Sequence, residues 1–520
     1  MDNPILPKVT ASSLLDIVRT LRADAVRHEQ LLEQVLAFLQ QSDPQQSDPP
    51  VHGTWSPPCD ESAIDFNRNL HKVRHVEGGQ VQSQDILVRL KATGIGKFYV
   101  KHAKRYSILR RLTFWVWRNG YPVYVNHVHT FIRRRGTKRW RKMTSLIEFV
   151  KTRGIRTIRV AEAAQVETSV PKVFPSSDQG YVALLRKDHI FPSIYVATVS
   201  DGVVFGGTNL TLAQEEVICH DLYDFKHDYT SEELHGRNLI DAAKGRIRLL
   251  IHDDSPEHLP AAATFVDACA SNYAHWLTEV LPRIALFCAD AKFQGIPIIV
   301  NDGLHKNIME SLFLVAGPER EIITLPIGRG LRVDELYLTS VSGYIPFEPR
   351  TKNKTEDRHG LFSAHAFDVV RSALDRYHIP PNGDFYPQKI YTRRNSGARN
   401  ITNLGEVEGL LHNHGYAIVE TEKLSFLEQM NLFANAKIIV GPSGAAFANS
   451  IFVKKGTKIG IIVSKHEEMP YGYWPNILTT QCDDLSYIMG DVKENAGNGI
   501  HADFHVSIAA MNDFLEDCEK

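Results

Sequence analysis

Several common catalytic and structural signatures are missing from this chain. Its six cysteines (Cys59, Cys219, Cys269, Cys288, Cys482, Cys518) form no CxxC pair and no short regular spacing. That argues against a disulfide scaffold or a structural zinc site, and reduced thiols in the cytoplasm are the expectation. There is no DxD triplet to bridge a divalent metal and a nucleotide diphosphate. HExxH and GxSxG are missing too, which argues against zinc peptidases and common serine hydrolases. No run approaches the ~18 apolar residues of a membrane-spanning helix. The opening MDNPILPKVTASS lacks the charged and apolar regions of a secretory signal. Net charge is nearly absent as well: 59 Lys and Arg face 60 Asp and Glu, so total charge names no partner.

That balance conceals a local imbalance. Between Lys91 and Val160 there are nineteen Lys or Arg and one acid, Glu148, leaving 40 basic and 59 acidic residues elsewhere. Within this stretch, Arg105 to Val125 interleaves Arg105, Arg110, Arg111 and Arg118 with Phe114, Trp115 and Trp117, and RRRGTKRWRK follows at Arg133 to Lys142. Basic residues mixed with tryptophan fit an anionic membrane surface, where indole rings sit among headgroups. The same composition binds nucleic acid, but no helix-turn-helix, zinc-finger or RNP-like signature accompanies it, and no nucleic acid is expected. A solvated basic face with core aromatics is the third alternative. Upstream, Ser12 to Gln41 carries apolar residues at helical spacing. It reads either as a coiled coil pairing two subunits in a homodimer or as a helix packed on its own domain. Ser42 to Pro50 then reads as a linker.

From about residue 154 the pattern is α/β. Apolar, β-rich runs at Ile194–Val199, Ile247–His252, Ile296–Val300, Lys389–Arg394, Tyr416–Glu420, Lys437–Gly441 and Lys458–Val463 are separated by helical stretches. Such alternation predicts parallel sheets covered by helices. The loop His378 to Pro387 divides two strand sets. The expected organisation is a helix over 1–45, a basic accessory module over 51–153, α/β domains over 154–380 and 385–495, and a C-terminal helix over 496–520.

Three constellations could carry chemistry. In SNYAHWLTEVLPRIALF, Ser271 or Asn272 can cap the following helix, and His275 and Glu279 lie four apart on one face. Arg283 would continue that face, with Pro282 making the register beyond it uncertain. Such a pair either orients an imidazole as a general base or is a plain surface ion pair over core residues such as Trp276 and Leu281. In KIYTRRNSGARNITN, a strand end delivers Arg393 and Arg394, with Arg399 after a Ser-Gly turn. Guanidinium forks there can clamp phosphate, or they can pair with acids such as Glu406 or Glu408. In ANAKIIVGPSGAAFANSIF, Gly441 and Gly444 let backbone approach a ligand, and the helix from Ala445 offers free amides to an anion. Glycines also occur in ordinary strand-to-helix turns.

In this order the three segments resemble glycosyltransferase family 61, especially bacterial members linked to capsular or exopolysaccharide synthesis. The first motif is matched by Asn272, Tyr273, His275, Trp276, Glu279, Leu281, Pro282 and Arg283. The second is matched by Arg393, Arg394, Arg399 and Asn403, and the third by Gly441, Gly444, Ala445 and Asn449. Many relatives carry His where this chain has Ser443. The resemblance spans roughly Ile194 to Asp491.

It implies a GT-B-like architecture, two Rossmann-like domains facing across a cleft, with 154–380 taking the acceptor and 385–495 the nucleotide-sugar. It further implies an inverting transferase that needs no metal cofactor. A nucleotide-sugar, expected to be a UDP-sugar, would be the cosubstrate, and a glycan or lipid-linked glycan the acceptor. Arg393, Arg394, Arg399, Gly441, Ser443, Gly444, Ala445 and Asn449 would bind the donor. His275 or Glu279 would be the catalytic base, with Asp267 a third candidate, and Asn272, Tyr273 and Arg283 would support the acceptor side. The setting would be cytoplasmic, with the basic module at the inner membrane face. A non-catalytic glycan-binding or assembly subunit, or a nucleic-acid-associated α/β enzyme, remain the alternatives.

Overall fold

The computed structural model describes residues 53–57, 72–77, 139–182, 188–234, 237–251, 253, 255–346, 348–349, 360–379, 386–395, 399–467, 469–478, 484–492, 500 and 502–520. All of them fall in the unit His52–Lys520. The expected helix Ser12 to Gln41, the linker after it and the basic run from Arg105 to Val125 lie outside the described residues.

Two large sheets organise the chain. The first has twelve strands, with Glu257–Thr264, Ile298–Asn301, Ile322–Leu325 and Gly330–Thr339 running parallel toward one end. It is mixed, not purely parallel as the sequence pattern predicts. Ile194–Phe205 pairs antiparallel with Gly330–Thr339 on one side and with Thr211–Ala213 on the other, and Thr211–Ala213 pairs in turn with Glu216–Cys219 in a meander. The cause is local. Gln214 and Glu215 both have positive φ and close a two-residue hairpin turn, and so short a connection permits only antiparallel pairing.

The second sheet has seven strands. Ala417–Val419, Lys389–Thr392, Ile438–Pro442, Lys458–Ser464 and Asp484–Val492 are parallel, and Phe504–Val506 adds antiparallel at the edge. The expected helix over 496–520 is therefore shorter, Ile508–Glu519, because alternating burial makes Phe504–Val506 a strand.

Segments from the N-terminal part are built into both sheets. Val73–His75 extends the first sheet alongside Ile322–Leu325, and Arg141–Ser145 pairs with Glu216–Cys219. Lys172–Phe174 joins the second sheet beside Asp484–Val492. Residues 141–153 are thus integral to the twelve-stranded sheet, as a strand and the helix Leu146–Arg153. The described end of the basic run is neutralised there: Arg139 and Arg141 pair with Glu215, and Lys142 with Glu216. Among the described residues no helix is long and apolar enough to cross a membrane, and the four described cysteines are free.

A continuous apolar core joins helices of the two sheets, and Trp276, Leu281, Phe426, Phe433 and Phe447 lie within it. Trp276 is fully buried and donates from Nε1 to Ser311 Oγ at 2.8 Å. Its polar edge is therefore satisfied while its ring is removed from water. This bond fixes the helix that begins at Tyr273 against the helix Lys306–Ala316.

Candidate active site

The His275 helix has three segments: Tyr273–His275, a π-helical stretch Trp276–Val280, and Leu281–Ala289. Asn272 is the cap, its side chain accepting from the Ala274 amide at 3.0 Å. Pro282 has no N–H for the preceding turn. The helix widens ahead of it, and the Leu281 amide bonds Trp276 O, five residues back.

His275 and Glu279 do meet on one face, Nδ1 against Oε1. Their side chains are only 19% and 15% exposed, so this is not a surface ion pair. A carboxylate at Nδ1 places the ring hydrogen there and leaves Nε2 as the basic nitrogen. Arg283 continues the cluster. It donates to Glu279 O at 3.0 Å and pairs with Asp267 at 3.2 Å. These groups line a cavity of about 50 Å³ together with His220 and Glu232, room for water-sized groups but not a sugar ring.

Burial opposes charge on His275, but the Glu279 carboxylate, its hydrogen bond and Asp267 outweigh it, so the imidazole pKa is raised. Burial also raises Glu279, against the pull of His275. Both shifts act in one direction: the pair holds its proton to higher pH than a free imidazole would. His220, buried near Asp267 and Arg283, is pushed down to about 4 and stays neutral beside it.

The arginine strand ends at Thr392, one residue before the pair it presents. The two arginines then part company. Arg393 is 4% exposed and turns inward. Its Nε and Nη2 bind Glu408 at 2.6 and 2.7 Å, and Nη1 reaches Glu420 at 3.4 Å. Its fork is occupied by protein carboxylates, the alternative the sequence left open, while the residue also borders the cavity that Gly444 and Ala445 face. Arg394 turns the other way and donates from Nη1 to Ser443 O at 3.1 Å. Burial and the neighbouring Arg399 charge bring it down to about 10. Arg399 is held at φ 59, outside the usual range of a non-glycine residue. Burial lowers its pKa, and its Nε is buried with no hydrogen-bond partner.

The glycine turn divides in the same manner. Gly441 lies inside the strand Ile438–Pro442, where a Cβ would sit 2.1 Å from Thr392 Oγ1. Its lack of a Cβ serves close packing between the strands. Ser443 is a clip: its carbonyl receives Arg394, and its hydroxyl accepts from Trp474 Nε1 at 3.0 Å. Gly444 and Ala445 face a cavity at the start of the 3₁₀ helix Ala445–Phe452. Asn449 is fully buried, accepting from Tyr273 Oη at 2.8 Å and donating to Gln429 at 2.8 Å. It ties the His275 helix to the second sheet's helices.

The cavity holds about 410 Å³, in the range of small-molecule sites. Arg394, Gly444, Ala445 and Ala446 line one part, Thr421 and Glu422 another, and Ser271, Tyr273, His305 and Asn307 a third. Its position follows from topology. The parallel strands from Lys389 onward lie in the order second, first, third, fourth, fifth. Connections therefore diverge between Lys389–Thr392 and Ile438–Pro442, and ligands of open α/β sheets bind in the crevice beyond that point. The loops carrying Arg394 and Gly444 leave these two strands. Tyr273 lines this cavity and His275, two residues on, lines the smaller one.

Sequence reasoning missed His305, Asn307, Glu232 and His220. None belongs to a recognisable motif, and only the fold brings them to the cavities. Among the described residues no group of three or more His, Cys, Asp or Glu is arranged to hold a metal ion.

No curated protein matches the chain. Residues 273–460, a stretch that opens on Tyr273 and takes in both the arginine strand and the Gly444 turn, match the family model described as Glycosyltransferase 61, which supports glycosyltransferase activity in general for this part of the chain.

Proposed function

We propose that the protein is an inverting glycosyltransferase that moves a sugar from a nucleotide-sugar, a UDP-sugar in this reading, to a glycan or lipid-linked acceptor in polysaccharide synthesis. In this proposal the two sheets form a GT-B arrangement, with the donor in the 410 Å³ cavity of the second sheet. One observation carries the reading. The desolvated guanidinium of Arg394, with the charge of Arg399 near enough to lower its pKa further, stands in the cavity wall beside the Gly444–Ala446 turn at the crossover of a parallel sheet. Cations already removed from water favour an anionic ligand strongly.

The chemistry follows. The acceptor hydroxyl gives its proton to His275 Nε2, and its oxygen attacks the anomeric carbon from the face opposite the leaving group. The anomeric carbon–oxygen bond breaks, and its electron pair stays on the diphosphate. Arg394, Arg399 and the amides of the first helical turn stabilise that growing charge. In this mechanism the arginines supply the positive charge, so no divalent metal is required. Glu279 holds the His275 ring and stabilises the imidazolium, and Arg283 with Asp267 holds Glu279 in place. The small cavity admits an acceptor hydroxyl and excludes its ring.

Calorimetric titration with UDP, GDP and CMP tests the donor site. Binding of UDP that is lost in Arg394→Ala supports the reading. Equal, weak or absent binding of all three by the folded protein overturns it.

A further inference from the structure

The mechanism leaves one wall of the larger cavity without a role. His305 and Asn307 stand there at the start of the helix Lys306–Ala316. Asn307 is 3% exposed. Its Nδ2 donates to Leu424 O at 2.8 Å, which fixes the amide's orientation. Its Oδ1 is buried with no hydrogen-bond partner. His305 accepts the Asn307 backbone N–H at Nδ1, at 3.3 Å. That bond places the neutral ring's hydrogen on Nε2. Two residues separated by one position therefore present an unused acceptor and an N–H donor on the wall of one cavity.

We propose that His305 and Asn307 read a hydroxyl of the sugar being transferred, an inference that rests on the donor-site reading above. The chemistry discriminates among the parts of the ligand. A diphosphate only accepts hydrogen bonds and would leave Asn307 Oδ1 unpaired. The imide edge of uracil sets an N–H beside a carbonyl and, like a sugar hydroxyl, can both donate and accept, so position in the cavity separates the two. Placement agrees. This wall also carries Ser271 and Tyr273, on the segment leading to His275, and the anomeric carbon must lie between the arginines and that base. Polar groups built to pair with a hydroxyl reject analogues lacking it, because the site's own groups are then left unsatisfied.

The test compares UDP with UDP-glucose, UDP-N-acetylglucosamine and UDP-xylose by calorimetry on the full chain. In Asn307→Ala, UDP affinity should change less than about 2-fold. The sugar nucleotide bound most tightly by the unaltered protein should lose about 10-fold or more. Should Asn307→Ala melt early, because Leu424 O loses one of its two donors, His305→Ala provides the second arm. His305 is exposed, and its variant should lose about 3- to 10-fold for that sugar nucleotide alone. Equal losses for UDP and sugar nucleotides would mean that the pair reads the nucleoside, and would overturn the inference. So would unchanged affinities in both variants, or UDP binding as tightly as all three sugar nucleotides. Failure of the unaltered protein to bind UDP at all is a different result, and it removes the donor-site reading first.

Discussion

Tyr273 and Asn449, 176 residues apart, are joined by a 2.8 Å hydrogen bond from the phenol to the amide oxygen. The bond links the helix carrying His275 to the turn that follows Gly444. Asn307 to Leu424 O, and Glu310 accepting from the Phe426 and Leu427 amides, make further links of the same kind. The base and the anion site are thereby held in one fixed relation. Tyr273→Phe leaves Asn449 Oδ1 buried without its partner and should cost about 1–3 kcal/mol of stability. A fall in the urea midpoint measures it, and an unchanged midpoint would show that the bond contributes nothing.

Arg393 and Arg394 should respond oppositely to truncation. Arg393→Ala takes from buried Glu408 its two-pronged partner, while Glu420 keeps Lys423 and Asn395, and breaking such a buried pair costs about 3–5 kcal/mol. Loss of folding should precede any specific loss of binding. Arg394→Ala removes the bond to Ser443 O, so stability should fall by no more than about 0.5–1.5 kcal/mol while UDP affinity falls about 10- to 100-fold. Thermal melting combined with titration separates the two. A stable Arg393→Ala protein that binds UDP weakly would assign the clamp role to that residue, which also lines the cavity.

The contrast shows what the sequence could and could not say. Strand ends were legible because apolar runs stop where polar residues begin, and the Asn272 cap and the His275–Glu279 spacing follow from helix geometry alone. Adjacent Arg393 and Arg394 are equivalent as letters. Which one turns inward depends on Glu408 lying across the sheet, a matter of tertiary packing. The two glycines behave alike in this respect, since Gly441 meets Thr392 only through strand pairing. The first sheet's antiparallel meander was hidden because Gln214–Glu215 carries no Asn-Gly or Asp-Gly signal for its turn.

Substituting those glycines gives a further test. A Cβ at Gly444 would lie 2.2 Å from Arg394 Nη1, the end of a flexible side chain that can move aside. Gly444→Ala should therefore keep its melting temperature and lose about 10-fold in UDP affinity by displacing the guanidinium. At Gly441 the obstacle is Thr392, with its backbone oxygen 2.7 Å away. Gly441→Ala should destabilise by about 1–3 kcal/mol from overpacking. The outcome against this account is Gly444→Ala melting early with UDP affinity intact.

The pH profile tests the base assignment. His275 must be unprotonated to accept a proton, and its pKa is raised above the ordinary 6.5 because Glu279 and Asp267 outweigh burial. The acid limb of kcat should accordingly lie above pH 6.5, with turnover falling about tenfold per pH unit below it. Glu279→Gln removes the carboxylate that raises the imidazole, so the limb should move to lower pH. The plateau should fall as well, since Nδ1 is no longer held by a charge. His275→Ala should depress kcat by about 10²- to 10⁴-fold with donor affinity nearly unchanged. A limb that stays in place in Glu279→Gln would assign the titration to a group other than the His275–Glu279 pair.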